Sequence, residues 1–112
     1  MLDGFMKLAD YLERRVNQNE SLEMMSNRMW TNVCFRYVGS SPEENLNHIN
    51  TELRKRLIHD GRFMVSRSTI DGSIVLRSVI ANRSISEASL DSFLQCVVSI
   101  GKDIERGLPP NQ

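Results

Sequence analysis

An Asp-Gly pair at 71–72 separates two stretches of β-forming residues, 63–70 and 73–81. A two-residue loop between strands needs positive φ at both central positions, which Asp-Gly accepts, so the segment predicts a tight hairpin. The loop also sets the register. Ile70 falls opposite Ser73, and Ser66 therefore falls opposite Arg77. Residues directly opposite share one face of the sheet.

The rest of the chain has to pack against that hairpin. Over 31–38, Val33, Phe35 and Tyr37 alternate with Asn32, Cys34 and Arg36, the period of a half-buried strand. Residues 22–25 read as a short edge strand. Three segments carry the helical period instead. In the first, Leu2, Phe5, Leu8, Ala9, Leu12 and Val16 form a stripe opposed by Lys7, Glu13, Arg14 and Arg15. In the second, Leu46, Ile49, Leu53 and Leu57 follow a helix start at Ser41-Pro42-Glu43-Glu44. There Ser41 is expected to cap, Pro42 suits the first helical position and Glu44 closes the S-x-x-E box. Gly61 is expected to end that helix. In the third, Leu90, Phe93, Leu94, Val97, Ile100 and Ile104 run to Gly107, with cap candidates in Ser84-Ile85-Ser86.

This order predicts an α+β fold. Its core is an antiparallel-rich sheet of three to four strands with helices on one face, and the other face is left free. The 112 residues are expected to form a single domain, with a leading helix over 1–20 and a frayed tail over 106–112. The helical pattern opens almost at Met1 with only Asp3 to cap it, as expected of a chain cut inside or just before a helix.

Charge and motif content exclude several functions. Fourteen basic and fourteen acidic residues leave zero formal net charge, which argues against nucleic-acid or membrane binding by bulk charge. No apolar run approaches the ~18 residues that span a bilayer. The start lacks the basic and apolar regions of a signal peptide. Cys34 and Cys96 form no C-x-x-C pair and read as small, half-buried apolar residues of a reduced, cytoplasmic chain. There is no P-loop, G-x-S-x-G or G-x-G-x-x-G motif. His48 reads as a helix-surface residue and His59 as a last-turn cation, and no metal site is expected. Trp30 and the methionines read as packing residues, and Arg54-Lys55-Arg56 as the solvated side of the second helix. Arg36, Arg67 and Arg77 all lie within predicted strands. Their alternation suits a solvated sheet face, and it also suits guanidinium groups displayed toward an anion. Spacing favours the first without excluding the second.

One ordered series of residues has a family likeness. It runs through Asn32-Val33-Cys34-Phe35-Arg36-Tyr37, Leu46-Asn47, Leu53, Gly61, Val65-Ser66-Arg67, Asp71-Gly72, Val75-Leu76-Arg77 and Asn82-Arg83-Ser84. This series resembles the C-terminal small domain of the pyridoxal-phosphate-dependent amino-acid decarboxylases of the glutamate and aromatic-amino-acid group, from the first helix to Ile104. The resemblance implies the small domain of an aspartate-aminotransferase-like fold. It implies as partner a large domain of the same protein that carries the cofactor on a lysine, and it implies a homodimer. The family's cofactor lysine follows a histidine, whereas here Lys7 follows Met6, Lys55 follows Arg54 and Lys102 follows Gly101. No cofactor-binding or catalytic residue is therefore expected in this chain, which by itself should be inactive.

The resemblance also implies that Arg77, the arginine of the L-R pair, helps bind a carboxylate of the amino-acid substrate, at least in glutamate-type members. Ser66, opposite it in the expected hairpin, is a candidate to position it, although a plain polar cross-strand pair is the simpler reading. Decarboxylation disperses the charge of the departing carboxylate. A tight ion pair to that group would stabilise the ground state more than the transition state. Arg77 is accordingly expected to orient the substrate or hold a remote carboxylate. The function implied is closure of the active site of a carboxy-lyase. The alternative is a free-standing α+β module for ligand binding or dimerisation, without catalysis.

Overall fold

The hairpin forms as its turn chemistry requires. The computed structural model describes residues 2–25, 32–60, 65–79 and 85–107. Strands β3 (Val65–Ile70) and β4 (Ser73–Val79) are joined by Asp71 at φ 50° and Gly72 at φ 81°. The register places Ile70 opposite Ser73 and Ser66 opposite Arg77, as expected. The predicted strand ends at 63–64 and 80–81 lie outside the described residues, as do Trp30, Gly61, Asn82-Arg83-Ser84 and the tail from 108.

Around the hairpin lie α1 (Leu2–Gln18), β1 (Leu22–Met24), β2 (Asn32–Tyr37), α2 (Glu43–Asp60) and α3 (Glu87–Gly107). Among the described residues the sheet has four antiparallel strands in the order β1-β2-β4-β3. Leu22, Val33, Phe35, Tyr37, Val65 and Leu76 lie in register on one face. They join the stripes of all three helices in one buried cluster, where the Phe35 and Phe93 rings meet edge to face at 6.0 Å. The opposite, outer face carries Glu23, Cys34, Arg36, Ser66, Val75 and Arg77.

The helix starts differ in how they are secured. At α3 the Ser89 N–H donates to the Ser86 hydroxyl (3.2 Å) and the Ser86 N–H to the Ser89 hydroxyl (2.7 Å), a reciprocal cap. At α2 the expected capping box gives way to a tertiary bond. The Ser41 hydroxyl donates to Glu105 at the far end of α3.

An arrangement invisible in the sequence positions α2. Pairing of β2 with β4 stops at Phe35 and Leu76, although the same register continued would set Arg36 against Val75 and Tyr37 against Ile74. Two asparagines of α2 take over there. Asn50 accepts from the Tyr37 N–H (2.8 Å) and donates to the Tyr37 and Leu46 carbonyls, while Asn47 accepts from the Ile74 N–H (2.7 Å) and donates to the Gly72 carbonyl. Buried backbone polar groups need partners, and Asn50 supplies them to Tyr37 where the strands part, while Asn47 does the same for Ile74 and Gly72 at the exposed edge of the gap.

Candidate functional site

The outer sheet face brings two of the three strand arginines together and excludes the third. Cys34 lies opposite Arg77, and Arg36 follows two residues along β2, so Arg36 and Arg77 are diagonal neighbours on this face. Arg67 lies opposite Leu76, in the register of the helix-covered side. The three arginines do not form one display, because Arg67 is out of phase with Arg77 by one residue.

Arg77 is exposed. Its Nε donates to the Ser66 hydroxyl at 3.1 Å, the cross-strand pair expected from the hairpin. Among the described residues no carboxylate is ion-paired with it. Cys34 and Ser66, the small residues on either side, are half-buried.

Arg36 corrects the reading of the strand arginines as a solvated set. It is only 7% exposed. Its Nε donates to Glu23 (2.8 Å), and Nη1 and Nη2 grip Glu43 as a fork (2.8 and 3.2 Å). Glu23 is its cross-strand neighbour, and Glu43 opens α2, which enters beside the end of β2. The hydrogen bond from Arg36 holds the Glu43 carboxyl below the usual carboxylate range. In turn Glu43 raises the guanidinium pKa against the opposing effect of burial, with Glu23 adding to the rise.

On the other side of β2, the fully buried Tyr37 donates its hydroxyl to Glu105 at 2.6 Å. Glu105 also accepts from the Ser40 N–H (3.0 Å) and from Ser41. Burial alone would push the Glu105 carboxyl up. The bonds from Ser41, Tyr37 and Ser40, with Lys102 nearby, hold it below its ordinary value. Burial, and then the bond to Glu105, raise the Tyr37 phenol. Two glycines make room for this pair. A Cβ on Gly101 would lie 2.5 Å from the Tyr37 ring, and one on Gly39, at φ 50°, would lie 2.5 Å from the Tyr37 hydroxyl.

A cleft of about 620 Å³ between α1 and α3 is lined by residues including Arg15, Gln18, Asp91, Gln95, Lys102 and Arg106. At its edge the Tyr11 hydroxyl donates to Asp91 (2.7 Å), which also pairs with Arg15 (3.3 Å).

The residues present do not build a covalent pyridoxal-phosphate site. Lys7, Lys55 and Lys102 are all exposed on helices, and Lys55 pairs with Glu52. Among the described residues no cluster of His, Cys, Asp and Glu could hold a metal, and His48 is exposed. Cys34 and Cys96 are half-buried and unbridged. Lys55 and Arg56 are solvated as expected, but Arg54 is half-buried, and its Nε has no hydrogen-bond partner among the described residues. The roles of Asn50, Glu105, Glu23 and Glu43 escaped the sequence reading. The only available signals were an Asn on the apolar stripe of α2 and acidic residues at helix ends and on a short strand, which have many ordinary explanations.

No family model matches the chain. Tyrosine decarboxylase 4 of Petroselinum crispum is 30% identical over 82 residues, covering 69% of this chain and 16% of that protein. The cysteine sulfinic acid decarboxylase of Homo sapiens is 26% identical over 114 residues, covering 92% of this chain and 23% of that protein. The chain thus spans between a sixth and a quarter of the length of these relatives. The crystal structure of Oryza sativa TDC with PLP and tryptamine superposes with a TM-score of 0.82 at 22% identity, covering 92% of this chain and 23% of that one, which shows a common fold. No described helix is long and apolar enough to cross a membrane. With its sequence and its sheet both matched over most of their length, the chain belongs to the pyridoxal-phosphate-dependent amino-acid decarboxylase family, and its extent is consistent with the C-terminal domain of that family.

Proposed function

We propose that residues 1–112 form one domain, the C-terminal small domain of a pyridoxal-phosphate-dependent amino-acid decarboxylase, which closes the active site and helps orient the substrate. In this reading the complete enzyme is a cytoplasmic homodimer and a carboxy-lyase. Its large domain carries the cofactor, and this chain contributes binding groups rather than the reacting amine. Arg77 is the residue proposed to meet a substrate carboxylate, with Ser66 as its positioning partner.

The observation that supports this most is the state of Arg77. A fork donor stands exposed on a strand, on the side away from the helices, held at one nitrogen by Ser66 and ion-paired with no carboxylate among the described residues. Such a donor suits bidentate recognition of a carboxylate. The test is the kinetics of Arg77→Lys in the full-length enzyme. Lysine keeps the charge and loses the fork, so KM for the amino acid should rise by about tenfold. Unchanged KM and kcat would remove the assignment. The 112-residue chain mixed with pyridoxal phosphate and borohydride should show no specific labelling. Stoichiometric labelling of one lysine would contradict the division of labour.

A further inference from the structure

Arg36 and Arg77 lie diagonally on the outer sheet face, within reach of one ligand, yet their charges are not equally available. Arg36 gives Nε to Glu23 and both terminal nitrogens to Glu43. Two carboxylates on one guanidinium leave this cluster with a net charge of −1. Arg77 is bonded only to a neutral hydroxyl among the described residues. The face therefore presents one attractive centre beside a weakly repulsive one.

We infer that Glu23 and Glu43 limit this face to one anionic group, by engaging Arg36 and leaving Arg77 as the only guanidinium of the face, among the described residues, that is open to a ligand. The inference rests on the proposed role of Arg77 and deepens it. The part of the substrate that meets this sheet carries a single carboxylate, and a second anion placed toward β1 is rejected. Glu23 and Glu43 act through Arg36 and touch no ligand themselves, so they are positioning residues that set specificity. Their number matters. One carboxylate would neutralise Arg36, whereas two make its surroundings repel an anion.

The test compares pentanoate and glutarate, which match in chain length and differ by one carboxylate, as ligands of the full-length protein in calorimetric titrations at pH 7. The wild type should bind glutarate no more tightly than pentanoate. Glu23→Gln/Glu43→Gln should raise the glutarate-to-pentanoate affinity ratio by about tenfold, and Glu43→Gln alone by about threefold, as expected for charges this close at a partly solvated surface. A merely structural role would weaken both ligands together and leave the ratio unmoved. Thermal melting identifies any variant that fails to fold, and Glu43→Gln retains the Glu23 pair for that case. An unchanged ratio in folded variants, with binding still lost in Arg77→Ala, overturns the inference and leaves the role of Arg77 standing. Binding that is absent in the wild type, or indifferent to Arg77→Ala, overturns both.

Discussion

Arg36 and Arg77 occupy the same sheet face two registers apart, and they do opposite work. Arg36 stands where β2 and β4 separate and α2 enters. It is buried, gripped by two carboxylates, and sits next to Tyr37, whose backbone is held by Asn50 and whose hydroxyl is held by Glu105. Arg77 stands where the ladder is continuous on both sides, so its backbone needs no help and its side chain is exposed. The contrast teaches that a strand arginine becomes structural where the sheet is incomplete. Where the sheet is regular it remains available for binding.

Four measurements probe that difference. The largest effect is expected at the splayed end. Asn50→Ala would leave the N–H and carbonyl of Tyr37 buried without partners, for a loss of about 3 kcal/mol or more in denaturant unfolding. Next is Arg36→Met. It removes a buried cation, but Glu23 and Glu43 are half or more exposed and can return to water, so about 2 kcal/mol is expected rather than the full cost of breaking a buried pair.

Acid provides the third. In the folded chain Glu43 and Glu105 both titrate below the ordinary 4.5. Their contribution is therefore complete above that value and is lost as pH falls through the lowered folded values. Stability should be flat near neutrality and decline below pH 4.5, and Glu105→Gln should shallow the decline. A decline of equal slope in that variant would place the acid sensitivity elsewhere.

The smallest effect on stability belongs to Arg77→Ala, expected within about 0.5 kcal/mol of the wild type, because an exposed side chain with one neutral hydrogen bond is removed. If Arg77→Ala costs more stability than Arg36→Met, the proposed division between the two arginines is reversed.

Much of the architecture was legible because it depends on local rules. The Asp71-Gly72 turn determined the hairpin register and so the pairing of Ser66 with Arg77. The apolar stripes of the three helices located the core, and Ser86 caps α3 as its position suggested. Ser41 shows where that legibility stops. Its spacing to Glu44 fits a capping box, yet its hydroxyl reaches Glu105, 64 residues away. Local spacing describes what a side chain can do, and a stronger acceptor brought near by folding decides what it does.

The same boundary runs through the whole protein. Periodicity and turn chemistry by themselves determined the elements, their antiparallel pairing across the hairpin, and the layer of helices on one face, since those follow from interactions a few residues apart. Only the tertiary structure decided that α2 enters the gap between β2 and β4, that Arg36 is enclosed by Glu23 and Glu43, and that Arg77 is left exposed. The physical reason is that a charge acquires its role from the groups brought within hydrogen-bonding distance. Those groups come from separate elements, whose approach is not encoded in the spacing within any one of them.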